Sequence, residues 1–225
     1  MASSRQDWEK RISDLINEAK KHQEAYSEQV GYFQLQIHPS VYSPKYFPET
    51  LWYGQNLPSI VKGGSFLEIG VGSGLISLHL AASGSKVVGA DINPFAVETT
   101  QQNFSRNQQE GTFIVSDIFD KIDGRFDFIF WNHPWQIDAS VPDELKTEKT
   151  FDLGYQLLQR FVAESANYLT ENGKVLLGTS SFADLEAIRS IVGKGNESLE
   201  IVRTGLGHLG RGVTEEYYIV QIQQS

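Results

Sequence analysis

The sequence predicts an α/β chain: a doubly wound, mostly parallel seven-stranded sheet with an antiparallel last strand, preceded by an N-terminal helical arm. Three observations carry this expectation. From Ser65 onward, short apolar runs alternate with helical segments, the pattern of βα units that cover a parallel sheet on both faces. The last two strand candidates are separated only by Gly205 to Val213, too few residues for a helical crossover, so they are expected to pair antiparallel. The chain before residue 61 lacks this alternation. At ~150 residues per domain, 225 residues correspond to ~1.5 domains. The division expected is a helical extension over 1–60 and one main domain over 61–225.

Taken in order, Trp8, Ile12, Leu15, Ile16 and Ala19 form a helical stripe whose other face is Lys, Glu and Gln. Phe33 to Ile37 alternates as a strand or extended crossing does. Pro39, Pro44 and Pro48 keep the next stretch irregular, and a helix follows from near Glu49 to before Pro58. Phe66 to Ile69 is the first strand of the main domain, with its helix from Leu75 to Ala82. Lys86 to Ala90 is the second strand, and Asn93-Pro94 opens another helix with Asn as N-cap and Pro at the first helical position. Thr112 to Ser116 and Phe126 to Trp131 are the third and fourth strands. A helix over about 151–169 precedes the strand Lys174 to Gly178, and a further helix runs from about Phe182 to Val192. Leu199 to Thr204 and Glu216 to Ile222 close the sheet.

Composition narrows the chemistry. The absence of cysteine excludes disulfides, thiolate nucleophiles, iron–sulfur clusters and cysteine zinc sites, and no metal site is expected. With 19 Lys and Arg against 28 Asp and Glu, the net charge of −9 repels nucleic acid and anionic membrane. No run of 18 apolar residues occurs, and MASSRQDWEK lacks a signal-peptide core, so the expected setting is soluble and cytoplasmic.

Four successive strands end in or near an acid or amide: Glu68, Asp91, Asp117 and Asn132. In a doubly wound sheet that edge is where ligands bind. The first turn, Glu68-Ile-Gly70-Val-Gly72-Ser-Gly74, lets backbone approach a ligand and presents amide N–H groups at a helix start. Asp91 follows Gly70 by 21 residues, where a carboxylate can accept both hydroxyls of a ribose. That spacing suits a nicotinamide enzyme or an adenosyl-ligand enzyme. The G-x-G-x-G spacing, with Glu68 two residues ahead, leans away from the nicotinamide fingerprint.

The glycine turn, Ala90-Asp91-Ile92-Asn93, Ser116-Asp117-Ile118 and Trp131-Asn132-His133-Pro134-Trp135 together resemble the successive motifs of class I S-adenosylmethionine-dependent methyltransferases, a Rossmann-like fold. The resemblance is strongest to the HemK/PrmC-like and "methyltransferase small domain" group. It spans roughly 41–222 and includes the stretch from Val41 through Glu49-Thr50. The cofactor it implies is S-adenosyl-L-methionine, with S-adenosyl-L-homocysteine as product. By the resemblance, Gly70, Gly72 and Gly74 shape the methionine end of the pocket with Glu68 near the ammonium. Asp91 holds the ribose while Ile92 packs on the adenine, and Asp117 accepts from the adenine amino group with Ile118 against the ring. No metal takes part.

The acceptor motif is present as Asn132-His133-Pro134-Trp135, with Asn132, His133 and Trp135 as the catalytic candidates. A planar nitrogen is a poor nucleophile because its lone pair is delocalised, and two acceptors on its NH₂ can draw it toward tetrahedral geometry. The family pattern supplies them from the Asn132 side chain and the His133 carbonyl, and Trp135 stacks on the flat acceptor. His133 stands where the family has Pro, and Trp135 where it has Tyr or Phe. The imidazole is either a proton acceptor or a ring held there by its backbone. Candidate substrate contacts are Pro134, Trp135, His208 and Arg211. Arg211 stands in a glycine-rich loop that either opens on the site, gripping an anionic group, or forms a solvated hairpin tip. Gln136 to Thr150 is either a lid or a solvated connection. The N-terminal stripe covers the pocket, mediates dimerisation or packs on the sheet flank.

The expected function is N-methylation of a planar amide or amino nitrogen, on a protein glutamine or a small molecule. The alternatives are a base amine of RNA or DNA, which the charge disfavours, and a non-catalytic cofactor-binding regulatory module. The chain is expected to act as a monomer or homodimer, away from membranes.

Overall fold

A computed structural model describes residues 3–136, 143–147, 150–193 and 198–223. The chain opens with α1 (Arg5–Ala19), where the Ser4 side chain accepts from the Asp7 amide and the predicted stripe is buried at Trp8, Ile12, Leu15 and Ile16. A two-stranded ribbon follows, β1 (Tyr26–Val30) and β2 (Phe33–Ile37), paired antiparallel around a turn at Gly31, φ 57°. β1 escapes the sequence reading because Ser27, Glu28 and Gln29 leave it only two apolar positions, Tyr26 and Val30. Lacking another strand, β2 is gripped by amides from a helix. Asn103 accepts from the Gln36 amide at 2.7 Å and donates to its carbonyl at 3.0 Å, and Asn107 does the same to Gln34 at 3.0 and 2.8 Å.

Next come α2 (Glu49–Asn56) and α3 (Pro58–Val61), then β3 (Phe66–Ile69), α4 (Leu75–Ala82), β4 (Val87–Asp91) and α5 (Pro94–Arg106). Asn93 caps α5 as expected, accepting from the Phe95 amide at 3.0 Å. β5 (Thr112–Val115), β6 (Phe126–Asn132), α6 (Gln156–Ser165), β7 (Leu169–Ser180), α7 (Leu185–Val192), β8 (Ser198–Gly210) and β9 (Val213–Gln223) complete the chain. The helix expected over 151–169 is shorter, flanked by 3-10 turns at Leu153–Tyr155 and Ala166–Tyr168, and β7 already begins at Leu169.

The main sheet runs in the order β5-β4-β3-β6-β7-β9-β8, with β9 antiparallel to both its neighbours. Strand order reverses between β3 and β6, whose parallel register pairs Ile69 with Trp131. Gly70 and Asn132 therefore leave the sheet side by side at the switch point, where doubly wound folds bind ligands. One sheet face packs on α6 and α7 through Leu158, Phe161, Ile188 and Val192. The other packs on α2, α4 and the β1–β2 ribbon through Tyr53, Leu75, Leu78 and Leu35. A third cluster joins Trp8 and Ile12 of α1 to Phe47, Leu145, Leu209 and Val213.

Both closing strands outrun the sequence expectation, and the supposed loop from Gly205 is mostly strand, leaving only Arg211 and Gly212 to turn. A Cβ on Gly205 would lie 2.2 Å from Trp52, and one on Gly207 would lie 2.1 Å from Tyr217. These glycines make room for aromatic rings rather than bend the chain. Among the described residues, no helix is long and apolar enough to cross a membrane.

Candidate active site

At the switch point lies a cavity of about 280 Å³, just under the usual size of small-ligand sites. Its first wall is the turn after β3. Gly70, Gly72 and Gly74 have φ of 68°, 56° and 78°, values that L side chains rarely adopt. Gly70 and Gly72 line the cavity, whereas Gly74 stands behind it as the residue preceding α4. There a Cβ would meet Thr100 at 2.7 Å. Asp91, at the end of β4, lines the cavity and is oriented by two amides. Its Oδ2 accepts from Gly72 N at 3.0 Å and its Oδ1 from Asn93 N at 2.9 Å.

Glu68 also lines the cavity and is buried beneath the turn, accepting from Ser77 Oγ at 2.5 Å. Burial pushes its carboxyl up to about 8, with a smaller upward contribution from Asp91. The described lining residues include no Lys or Arg.

Beyond β5, Asp117 and Ile118 line the cavity together with Ile92 from the β4 turn. Asp117 Oδ2 accepts from Arg160 Nη1 of α6 at 2.9 Å, and the same guanidinium also reaches Asp120 and Glu164. Ile118 is buried with φ 47°, a strained conformation for a β-branched residue, held where the wall needs it. Ile92 is 62% exposed, an apolar side chain offered to the rim of the cavity.

The opposite wall is the motif after β6: Asn132, His133, Pro134 and Trp135 all line the cavity. Asn132 Oδ1 and His133 Nε2 are buried without a hydrogen-bond partner among the described residues. The His133 ring, in the tautomer its neighbours favour, donates from Nδ1 to the Pro134 carbonyl at 2.8 Å, which leaves a lone pair on Nε2. Burial lowers its pKa to about 4, so the imidazole is neutral at physiological pH. Trp135 is tied at both ends: its Nε1 donates to Gly178 O at 3.3 Å, and its carbonyl accepts from Tyr155 Oη at 3.0 Å. It packs against all three hydrophobic clusters, a partition at their junction.

The remaining substrate candidates lie elsewhere. His208 and Arg211 are not among the lining residues. His208 is exposed opposite Thr214, and Arg211 turns to α1, pairing with Asp14 at 2.6 Å and Glu18 at 3.5 Å. That acidic face of α1 pairs with the guanidinium at the hairpin tip, the second of the two alternatives for this segment. Within the lid candidate Gln136 to Thr150, residues 137–142 and 148–149 lie outside the described residues.

Sequence reasoning missed Glu215 as a lining residue, and saw Tyr42, Glu49 and Thr50 only as part of a resembling segment, Trp8 only in the N-terminal stripe and Gln136 only in the lid candidate. One signal was present. Val213, Glu215, Tyr217 and Ile219 alternate as an inward strand face, which puts a carboxyl where an apolar residue belongs. Trp8 and Ile12 make α1 a wall of the cavity, answering one of the three options for its stripe.

The sequence pattern of the methyltransferase small domain matches residues 33–200. A protein of Methanocaldococcus jannaschii, named as a candidate protein N5-glutamine methyltransferase, is 36% identical over 165 residues, covering 70% of this chain and 82% of its own length. A release factor glutamine methyltransferase of Lactococcus lactis is 34% identical over 125 residues, 49% of this chain and 45% of that protein. The fold is shared with the T. thermophilus 16S rRNA N2 G1207 methyltransferase, solved with AdoMet and guanosine. The TM-score is 0.66 at 21% identity, over 89% of this chain and 50% of that one. This chain thus spans about half the length of the last two. Relatives by sequence are named for protein glutamine and for ribosomal RNA alike, so the net charge alone does not disfavour a nucleic-acid acceptor, contrary to the expectation from composition.

Proposed function

Because the chain belongs to the methyltransferase small domain family, and is thereby an S-adenosylmethionine-dependent methyltransferase, we propose that it methylates a planar amide nitrogen, with a protein glutamine as acceptor. The observation that carries this reading is the pair of buried, unpartnered atoms Asn132 Oδ1 and His133 Nε2, in one cavity with the glycine turn and Asp91. Buried polar atoms without partners are costly, and they persist where a ligand completes them.

The residues present suit the cofactor. Asp91 offers a carboxylate for ribose hydroxyls, Asp117 a carboxylate for an amino group, and Ile92 and Ile118 apolar walls for a flat ring. Glu68, a buried carboxyl lining the cavity, would hold the ammonium. When bound, S-adenosylmethionine supplies an electrophilic methyl group and leaves as S-adenosylhomocysteine.

The chain's own residues then act on the acceptor. Asn132 Oδ1 accepts an N–H of the amide and stabilises the positive charge that grows on its nitrogen. Trp135 fixes the plane of the amide, so orientation contributes much of the rate. His133 Nε2 is a weak base, and a weak base suffices, because an amide alkylated on nitrogen is a strong acid until it loses its proton.

The test is transfer of labelled methyl from S-adenosylmethionine into protein, RNA and metabolite fractions. Label recovered as N5-methylglutamine after proteolysis is the expected result. Label released only by nuclease would replace the glutamine with a base amine. Asn132→Ala should lower the transfer rate by ~10²-fold, the cost of one such contact, and leave cofactor affinity within a few-fold.

A further inference from the structure

Two buried carboxyls at the far end of the cavity take no part in the chemistry above. Glu215, in β9, is 3% exposed, and its Oε2 accepts from Trp8 Nε1 at 2.6 Å. Glu49, at the start of α2, is 2% exposed, and its Oε1 accepts from Tyr42 Oη at 2.6 Å. Both line the same cavity as Asn132 and Trp135.

The strand order puts them on the acceptor side. β9 lies beyond β6 and β7, away from the β3–β4–β5 edge that carries Glu68, Asp91 and Asp117. α2 is fixed over the same region, since Tyr53 Oη donates to Thr179 O at 2.8 Å, next to the Gly178 carbonyl that holds Trp135.

The groups that interact with this pair are neutral: Trp8 from α1, Tyr42 from the loop before α2, Tyr53 from α2 and Tyr217 from β9. Burial and mutual repulsion push Glu215 up to about 8, and burial pushes Glu49 up to about 7. A second observation is independent of these acids. Gln136, 3% exposed, lines the cavity with its Nε2 unpartnered among the described residues, and so does Thr50 with its Oγ1. An amide N–H without a partner asks for a carbonyl on the ligand. Trp8, Tyr42, Phe47 and Trp135 add flat faces around it.

We propose that this end of the cavity reads an arginine of a peptide acceptor, with Glu49 and Glu215 holding the guanidinium and Gln136 a neighbouring backbone carbonyl. A guanidinium is planar, stacks on aromatic faces and presents paired N–H donors that match carboxylates, which an ammonium does not. The assignment rests on the methyltransferase reading and adds to it the charge of the acceptor and the residue beside the methylated glutamine.

Calorimetry on the full chain tests it in two steps. S-adenosylhomocysteine is titrated first, and failure to bind overturns the methyltransferase reading itself. The saturated protein is then titrated with acetyl-Gln-Arg-amide and with the same peptide carrying citrulline, a neutral isostere. The arginine peptide should bind at least ~10-fold tighter, the size of one charge-assisted hydrogen bond. Binding should release protons in buffers of different ionisation enthalpy. Glu49→Gln and Glu215→Gln, which keep shape and remove a buried charge, should each narrow the preference to within ~3-fold, with S-adenosylhomocysteine affinity unchanged. Equal binding of the two peptides, or a preference that survives both substitutions, overturns the arginine assignment alone, whereas binding of neither overturns the glutamine acceptor with it. Guanosine binding that depends on Glu215 in place of the peptide overturns both the arginine and the glutamine and points to a base instead.

Discussion

Asp91 shows how single residues are prepared for their ligand. Its two carboxylate oxygens each accept a backbone amide, Gly72 and Asn93, so the group is oriented before anything binds. Gly72, at positive φ, donates its amide to Asp91, which ties the glycine turn to the proposed ribose site. Asp91→Ala removes the ribose acceptor and takes from both amides a charged partner. At ~1.5–3 kcal/mol for a hydrogen bond to a charged group, S-adenosylhomocysteine affinity should fall by ~10- to 100-fold. Asp91→Asn, which retains one carbonyl oxygen, should fall between. Calorimetry on the three proteins decides it, and equal affinities would move the ribose elsewhere. The same logic explains why this half of the site was readable from the sequence. Glycines, an acid after the next strand and an N-capping Asn are local devices, each needing only its own turn.

At the scale of elements, readability failed where the cause was distant. Gly-Leu-Gly-His-Leu-Gly-Arg-Gly looks like a turn, yet Gly205 and Gly207 lie in β8 because Trp52 of α2 and Tyr217 of β9 occupy the space a side chain would fill. Nothing within the octapeptide discloses those rings. Likewise β1 pairs only with β2, whose outer edge is satisfied by Asn103 and Asn107 from an element some 70 residues away. Acids on the inward face of β9 and the first turn of α2 were visible as residues, but their convergence with α1 required the three-dimensional arrangement. Gly207→Ala places a methyl against the buried Tyr217 ring, and overpacking of that kind costs ~1–3 kcal/mol. At ~2–4 °C per kcal/mol for a chain this long, Tm should drop by roughly 2–12 °C. Gly193→Ala is the control, since Gly193 has φ −67° with open space around its Cβ, and its Tm should stay level or rise slightly. Calorimetric scans of both variants suffice, and equal shifts would mean that the glycines of β8 are not there for room.

The whole molecule carries the electrostatic consequence of an acidic cavity. Glu49, Glu68 and Glu215 are raised from 4.5 to about 7, 8 and 8, chiefly by burial. Between those limits the folded chain binds more protons than the unfolded chain, so stability falls as pH rises through the window and the full penalty is present above it. His133 works in the other direction: lowered from 6.5 to about 4, it holds fewer protons folded than unfolded, and stability is lost as pH falls below 6.5. Well above 6.5 His133, and His79 whose value burial also lowers, contribute little slope and the raised carboxyls dominate. The ligand-free protein should therefore lose at least ~3 °C of Tm between about pH 6.5 and pH 8.5, the effect of roughly one pKa unit at this chain length. Glu215→Gln should flatten the decline, whereas Glu216→Gln, which removes a charge from the exposed face of the same strand, should leave its slope intact. That contrast separates burial from the growth of net negative charge, which both substitutions reduce equally. Saturation with S-adenosylmethionine should also shallow the decline, because a cation beside Glu68 lets that carboxyl ionise without penalty. A Tm that holds level or climbs over the interval in the unliganded protein would mean that the carboxyls are already ionised in the fold.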